Sequence, residues 1–372
     1  METLTNPSEQ QARGERDAAA GVPRYSVTTL VAYALTLLSA AGMAAPQATA
    51  VAETLVEADL LGHDTHGLAQ LPGYLRQIET GAMRTSGAPI VLAERGATLL
   101  WDGQRLPGPW LVRQGVEALM PKAREFGTAT LVIRRSHHIA CLAAYLAHAA
   151  DAGFLLVLAS SDPNAACVAP HGGRRAVFTP NPIAAGIPTS GTPLLVDISS
   201  SCTTVAMSAR IAAAGQQFDE ACMLDADGHA SRDPTVLDSD PPGTILPLGG
   251  MSGGHKGYGL ALLIEALTGG LSGFGRADPP EGWGATVSMT LYDPAAFAGL
   301  SEFNRQMDWI ADACRTNPPR PGTGRVRVPG DNGLKLKAAQ VEAGVALNTS
   351  IAPLLAEFDE RYSVAFPVPI GS

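Results

Sequence analysis

The sequence predicts a mixed αβ fold that is not a Rossmann fold, with a helical unit assembled from both ends of the chain. Three observations lead there. Helix-like runs occupy residues 26–84 and return after residue 296, whereas the middle carries short apolar runs bounded by Gly, Pro and Ser. A strand–helix–strand succession in that middle part calls for a buried sheet. No G-x-G-x-x-G motif follows an early strand, so the Rossmann dinucleotide fingerprint is missing. The expected division is a disordered tail over 1–24, a helical domain from 25–84 with 296–372, and an αβ domain over 85–295.

Along the chain, residues 26–44 and 47–61 read as two helices separated by Pro46, which cannot continue the first. YLRQIETGAM, starting at Tyr74, reads as a third helix stopped by Gly81. TATLVIRRS (128–136), GFLLVLASS (153–161) and TPLLVDISSS (192–201) have the length and composition of strands. ACLAAYLAHAADAG, between the first two, is helical and closes on a glycine. A glycine-rich loop up to Gly259 precedes the helix LALLIEALTGGL, and helices are expected again around 296–314 and in LKLKAAQVEAG.

Composition narrows the function. The chain has 372 residues, 46% apolar and 16% charged, enough for a large core in two or three domains. Its net charge is −9 and its basic clusters are only the pairs Arg134-Arg135 and Arg174-Arg175, which argues against a nucleic-acid surface. Cys141, Cys167, Cys202, Cys222 and Cys314 are odd in number and widely spaced with no CxxC, so a reducing, cytoplasmic setting is expected. The polar first 22 residues have no apolar signal core. TTLVAYALTLLSAAGMAA carries Thr, Ser and Gly without a flanking basic cluster, and reads as a buried helix instead of a membrane span.

Four stretches could carry chemistry. GHDTHG (62–67) follows a helix and admits three readings: a metal site on His63 and His66, a hydroxyl–imidazole proton relay, or a polar turn. No HExxH or cysteine partner accompanies the HxxH spacing, so no metal is assigned. RRSHHIACLAAY places His137 and His138 where a strand gives way to a helix, a common position for a proton-transfer histidine. LPLGGMSGGHKGYG combines close-approach glycines, a helix start and Lys256, an arrangement suited to a cofactor phosphate. The Pro- and Gly-rich stretch 160–188 contains Asp162, His171 and Asn181, and Asp197 ends the strand LLVDISSS, where a carboxylate could orient a histidine.

In order, ADLLGHDTHGLAQLPGYLRQIETGAM, SHHIACLAAYLAHAADAGF, VAPHGG with NPIAAGIP, LLVDISSS, LDADGHASRDP, LLIEALTGGLSG after GHKGYG, and VRVPGDN resemble the malate/L-lactate/ureidoglycolate dehydrogenase family. This family includes sulfolactate dehydrogenase and piperideine-2-carboxylate reductase. The resemblance implies a largely antiparallel sheet in a cofactor- and substrate-binding αβ domain, NAD or NADP as cofactor, a small-molecule substrate and a homodimer without nucleic-acid or membrane partners. It implies that His138 gives and takes the substrate proton and that Thr65, His66 and Asp197 form a hydroxyl–imidazole–carboxylate relay. It places substrate near Tyr74, Ser161, Asp162 and the Gln70 position. Lys256, with His255, Gly254 and Gly257, falls in the cofactor-contacting glycine loop, and Asn181 and Arg210 are the remaining cofactor candidates.

Departures from the family pattern matter too. Thr65 stands where the family has Ser, which keeps the hydroxyl. Gln70 stands where the family has an arginine that clamps the substrate carboxylate, and a neutral amide bonds a carboxylate more weakly than a guanidinium does. A simple malate or lactate substrate is therefore disfavoured, with Arg76 and Arg105 as candidate substitutes. The family's Gly-Lys pair after Asp197 is replaced by SSSCTTVAMSAR, with Arg210 the nearest cation. Extra residues also separate the first glycine pair from Lys256. Two other classes fit parts of the sequence: a metal-dependent hydrolase or lyase built on the histidines, and a redox-silent binding subunit.

Overall fold

A computed structural model describes residues 22–278 and 282–371. The tail expected over 1–24 lies outside the described residues up to residue 21, and its last residue is already paired. Strand β1 (Arg24–Tyr25) is antiparallel to Val345–Ala346 near the other end of the chain. Helices α1 (Val27–Ala40), α2 (Ala45–Leu60) and α3 (Leu71–Glu79) follow. Pro46 sits in the first turn of α2, where its missing N–H costs nothing. These helices pack with the C-terminal α10 (Ile351–Tyr362) in one apolar cluster, where Leu37, Leu55, Tyr74, Leu355 and Phe358 are fully buried.

The central sheet comprises β2 (Ile90–Arg95), β3 (Thr98–Asp102), β4 (Thr128–Ser136), β5 (Leu155–Ser161), β6 (Pro182–Ile187), β7 (Leu194–Ser199) and β11 (Ala285–Tyr292). Its spatial order is β2-β3-β4-β11-β5-β6-β7, and every pair except β3–β4 is antiparallel. β11 is central although it comes late in the chain. Met289 of β11 faces Leu131 on one side and Leu158 on the other, all three fully buried. Helices α4 (Gly108–Phe126) and α5 (Leu146–Asp151) cover the sheet through Leu111, Leu119 and Leu146.

The small strands β8 (Met223–Leu224), β9 (Ala230–Ser231) and β10 (Thr244–Ile245) form a separate three-stranded sheet. Beside it lie α6 (Val205–Ala213) and α7 (Gly250–Glu265). After β11 come α8 (Leu300–Arg315), α9 (Asp331–Ala343) and β12 (Val345–Ala346). Although the sequence reading groups α8 with the helical domain, its Ala311, with Met307 and Cys314, packs against Leu194 and Val328 at the β7 edge of the sheet. Edge strands need such a cover.

Candidate active site

The GHDTHG segment closes α2 with two short 3₁₀ turns, Asp64–His66 and Leu68–Gln70. Asp59 of α2 draws the turn back by accepting the Leu68 N–H at 2.8 Å. Gly67 makes this possible, because a Cβ there would lie 2.1 Å from Asp59 Oδ1. The turn presents a hydroxyl to an imidazole: Thr65 Oγ1 is 2.9 Å from His66 Nδ1. Gln70 spends its amide inside the same turn, donating to the Thr65 carbonyl at 2.6 Å. This bond braces the loop.

His138 follows β4 and is held from α3. Tyr74 Oη lies 2.9 Å from His138 Nδ1 and 3.2 Å from the His138 carbonyl, while the Ala140 N–H approaches Nδ1 at 3.3 Å. With the proton on Nε2, Nδ1 accepts from the hydroxyl and the Ala140 N–H; with a proton on Nδ1, the hydroxyl accepts it while donating to the carbonyl, and the Ala140 bond is given up. Trp283, which the sequence reading did not single out, stacks on His138 with centroids 4.5 Å apart and packs on Tyr74 at 5.5 Å. On its other side His138 faces the His66 ring at 6.0 Å. Tyr74 is fully buried behind His138, so its expected contact with substrate gives way here to a contact with the imidazole.

The environment disfavours the charged form of these imidazoles. Burial pulls the His138 pKa well below the usual histidine range, with His66 and His137 adding in the same direction. Burial also lowers His66, opposed by the Asp197 charge. His137, behind the site against Trp283, is pushed down to about 3 by burial and by Arg105.

Asp197 is displaced from the expected relay. Its Oδ2 accepts the Ala143 N–H at 2.9 Å and faces the Cys141 thiol at 3.7 Å. The hydroxyl–imidazole leg of the relay is a direct contact, whereas the carboxylate acts on His66 through its charge. The reason is local: Asp197, on β7, satisfies the turn that follows β4.

Other expected site residues are placed elsewhere. Ser161 and Asn181 are buried and both bond Glu265 Oε1, at 2.7 and 2.9 Å, in a network closed by the Arg276–Glu265 ion pair at 2.7 Å. Their polar atoms build the fold. Asp162 stays near the aromatic wall, facing the Gly284 N–H at 3.5 Å, and burial raises its pKa. Arg210 pairs with Asp64 through Nη1, 3.1 and 3.0 Å from its two oxygens, so its charge ties α6 to the active turn. Arg76 pairs with Glu357 at 2.6 Å on the outer surface, while Arg105 bonds the Ala82 and Trp283 carbonyls beside His137.

The glycine loop is a helix. α7 begins at Gly250, so Gly254, His255, Lys256 and Gly257 lie within it instead of preceding it. Gly257 permits helix-to-strand contact: a Cβ there would sit 2.3 Å from the Leu248 nitrogen. Gly254 likewise faces His171 Nδ1 at 3.0 Å from its ideal Cβ. Of these four residues, His255 and Lys256 are exposed to solvent.

Two cavities adjoin along the β6–β7 hairpin and the 325–335 segment. One of about 290 Å³ is lined by His63, Asp197, Arg327 and Gly330. The other, about 800 Å³, is lined by Arg315, Arg325 and Lys335 and by Asp308, Asp312 and Asp331, with Arg315 paired to Asp331 at 2.8 Å. Neither Arg325 nor Lys335 belongs to a motif that the sequence reading marked.

The chain is similar to known dehydrogenases and a reductase over most of its length. An L-lactate dehydrogenase from Cupriavidus necator is 32% identical over 351 residues, covering 92% of this chain and 99% of that relative. A (2R)-3-sulfolactate dehydrogenase (NADP(+)) from Chromohalobacter salexigens is 34% identical over 275 residues, 71% of this chain and 79% of the relative. The crystal structure of Entamoeba histolytica malate dehydrogenase shares the fold with TM-score 0.87 at 24% identity, over 93% of this chain and 100% of that one. The Pseudomonas syringae pvar. tomato delta1-piperideine-2-carboxylate reductase superposes with TM-score 0.78 at 26% identity, over 90% and 99%. The family model described as malate/L-lactate dehydrogenase matches residues 25–355, and the chain belongs to that family.

Proposed function

We propose that the protein is an NAD(P)H-dependent oxidoreductase acting on a 2-oxo or 2-hydroxy acid, or a related cyclic imino acid. The carrying observation is the matched pair of histidines. His66 and His138 face each other, and each has Nδ1 engaged by a hydroxyl at 2.9 Å, Thr65 for one and Tyr74 for the other. Each Nε2 is left as the end that handles a proton. The cofactor, NAD or NADP, supplies or takes the hydride when bound. In reduction His138, doubly protonated from solvent, gives its Nε2 proton to the substrate oxygen or nitrogen and is left neutral. In oxidation the neutral ring takes that proton back on Nε2, and in both states Tyr74 Oη accepts from Nδ1–H while donating to the His138 carbonyl. Thr65–His66, under the Asp197 charge, extends the proton path. Trp283 excludes water from one face of His138, and Asp162 contributes a polar contact to substrate.

Cationic residues hold the cofactor phosphates: Arg325 and Lys335 in the larger cavity, with Lys256 and His255 on the outer face of α7. The apolar exposure of α7, where Met251, Leu262 and Leu263 are each about half exposed (54%, 47% and 51%), supports a homodimer built on that face. All five cysteines are free, in keeping with a cytoplasmic enzyme. Among the described residues no helix is long and apolar enough to cross a membrane.

Titration with NADH and NADPH, followed by nicotinamide fluorescence, tests this reading without a known substrate. Saturable micromolar binding of one form is expected, followed by turnover in a screen of 2-oxo acids and cyclic imino acids. Binding of neither would remove the redox assignment.

A further inference from the structure

Two side chains that the proton path does not use converge on Asp197. An imidazole nitrogen of His63, Cys141 Sγ and a carboxylate oxygen of Asp197 all lie within 4.8 Å of one another. They come from three separate parts of the chain: the turn after α2, the segment between β4 and α5, and strand β7. Tertiary packing alone brings them together. Cys141 is buried, whereas His63 and Asp197 open into the 290 Å³ cavity.

We propose that His63, Cys141 and Asp197 form a three-ligand site for a thiophilic divalent cation of the zinc class, with the fourth position open to the cavity. Thiolate, imidazole and carboxylate are the three donor types zinc takes, at about 2.0–2.3 Å. The edges of a tetrahedron with such bonds are roughly 3.3–3.8 Å. The observed spread therefore requires the ligands to close by about 1 Å, within reach of side-chain rotation. Asp197 already has an outer partner in the Ala143 N–H at 2.9 Å, the kind of support that orients a metal carboxylate. On binding, the Cys141 S–H bond breaks, its proton leaves to solvent and a sulfur–metal bond forms, with no change of oxidation state. The site itself does not rest on the redox reading.

The test uses the full-length protein, stripped with chelator and titrated with cobalt(II). Binding of one equivalent with a thiolate-to-cobalt charge-transfer band is expected, and zinc should displace it. Cys141→Ser should abolish the band and weaken zinc at least tenfold, since even outer-sphere partners are worth about 10–100-fold in metal affinity. His63→Ala, at a partly exposed position, should keep the band and weaken binding at least tenfold. Absence of the band in wild type, or its persistence in Cys141→Ser through Cys202 or Cys222, overturns the assignment. NADH and NADPH titrations on the same preparations separate the two readings. Nicotinamide binding without cobalt binding sinks the metal site alone, and cobalt binding without nicotinamide binding sinks the dehydrogenase alone.

Discussion

The proton transfer proposed for His138 depends on one hydroxyl. Tyr74 Oη reaches both Nδ1 and the backbone carbonyl of His138, so it can accept from Nδ1–H while donating to the carbonyl and fix the ring with Nε2 free. Removing the imidazole with His138→Ala should lower kcat by at least about 10²-fold, the lower end of what general acid–base catalysis contributes. Near-normal turnover would release His138 from its role. Tyr74→Phe keeps the packing against Trp283 and deletes only the hydroxyl. A loss of up to about tenfold in kcat is expected, equivalent to one neutral hydrogen bond. KM should stay nearly constant and the pH profile of kcat should shift. A change in KM alone would mean that Tyr74 touches substrate instead. At this scale the sequence was informative about residue types: His66, Thr65 and His138 stand together as the motifs suggested. It was silent on Trp283, because nothing in GWGATVSMTLY distinguishes a site-wall tryptophan from a core one.

Helix α7 shows why a glycine-rich segment is ambiguous in sequence. Flexible loops and tightly packed helices both need residues without a Cβ. Here Gly257 lies against Leu248 and Ser200, so a Cβ would meet the Leu248 nitrogen at 2.3 Å and the Ser200 carbonyl at 2.7 Å. Gly257→Ala should destabilise the protein by roughly 1–3 kcal/mol, the usual range for overpacking. Gly259, on the same helix, has nothing within 4 Å of its ideal Cβ. Gly259→Ala should be neutral or stabilising by up to about 1 kcal/mol, from helix propensity. Thermal denaturation of the pair decides it, and equal melting temperatures would refute the packing role. Other elements separated along the same line. Strand 128–136 and the helices around Pro46 carry strong local patterns and fall where expected. β11 and β6 do not, since a strand buried on both faces has no alternation, and β6 opens on Pro182 in a stretch that reads as loop.

Across the whole molecule, three histidines are held with lowered pKa values in one interior: His66, His137 and His138. In the unfolded chain each titrates near about 6.5. Below that pH the unfolded state binds protons that the folded state refuses, so stability is fully present above about 6.5 and falls as pH drops toward the folded values. Each such group contributes a slope of roughly 1.4 kcal/mol per pH unit in that window. Melting temperature should therefore fall between about pH 7 and 5. His137→Gln, which stays neutral, should show a shallower fall. Identical slopes for the variant and wild type would show that His137 is not held neutral by folding.

What the sequence by itself determined was the chemistry on offer and the local elements. Hydroxyl beside imidazole in DTHG, the helical ends, the αβ middle and the family are all written in neighbouring residues. Only the tertiary structure decided which groups meet. It sent Ser161 and Asn181 to Glu265, Arg210 to Asp64, and Asp197 to Cys141 and Ala143. The physical reason is that a buried charge or amide is costly until it is paired, and its partner is set by long-range packing that no local spacing records.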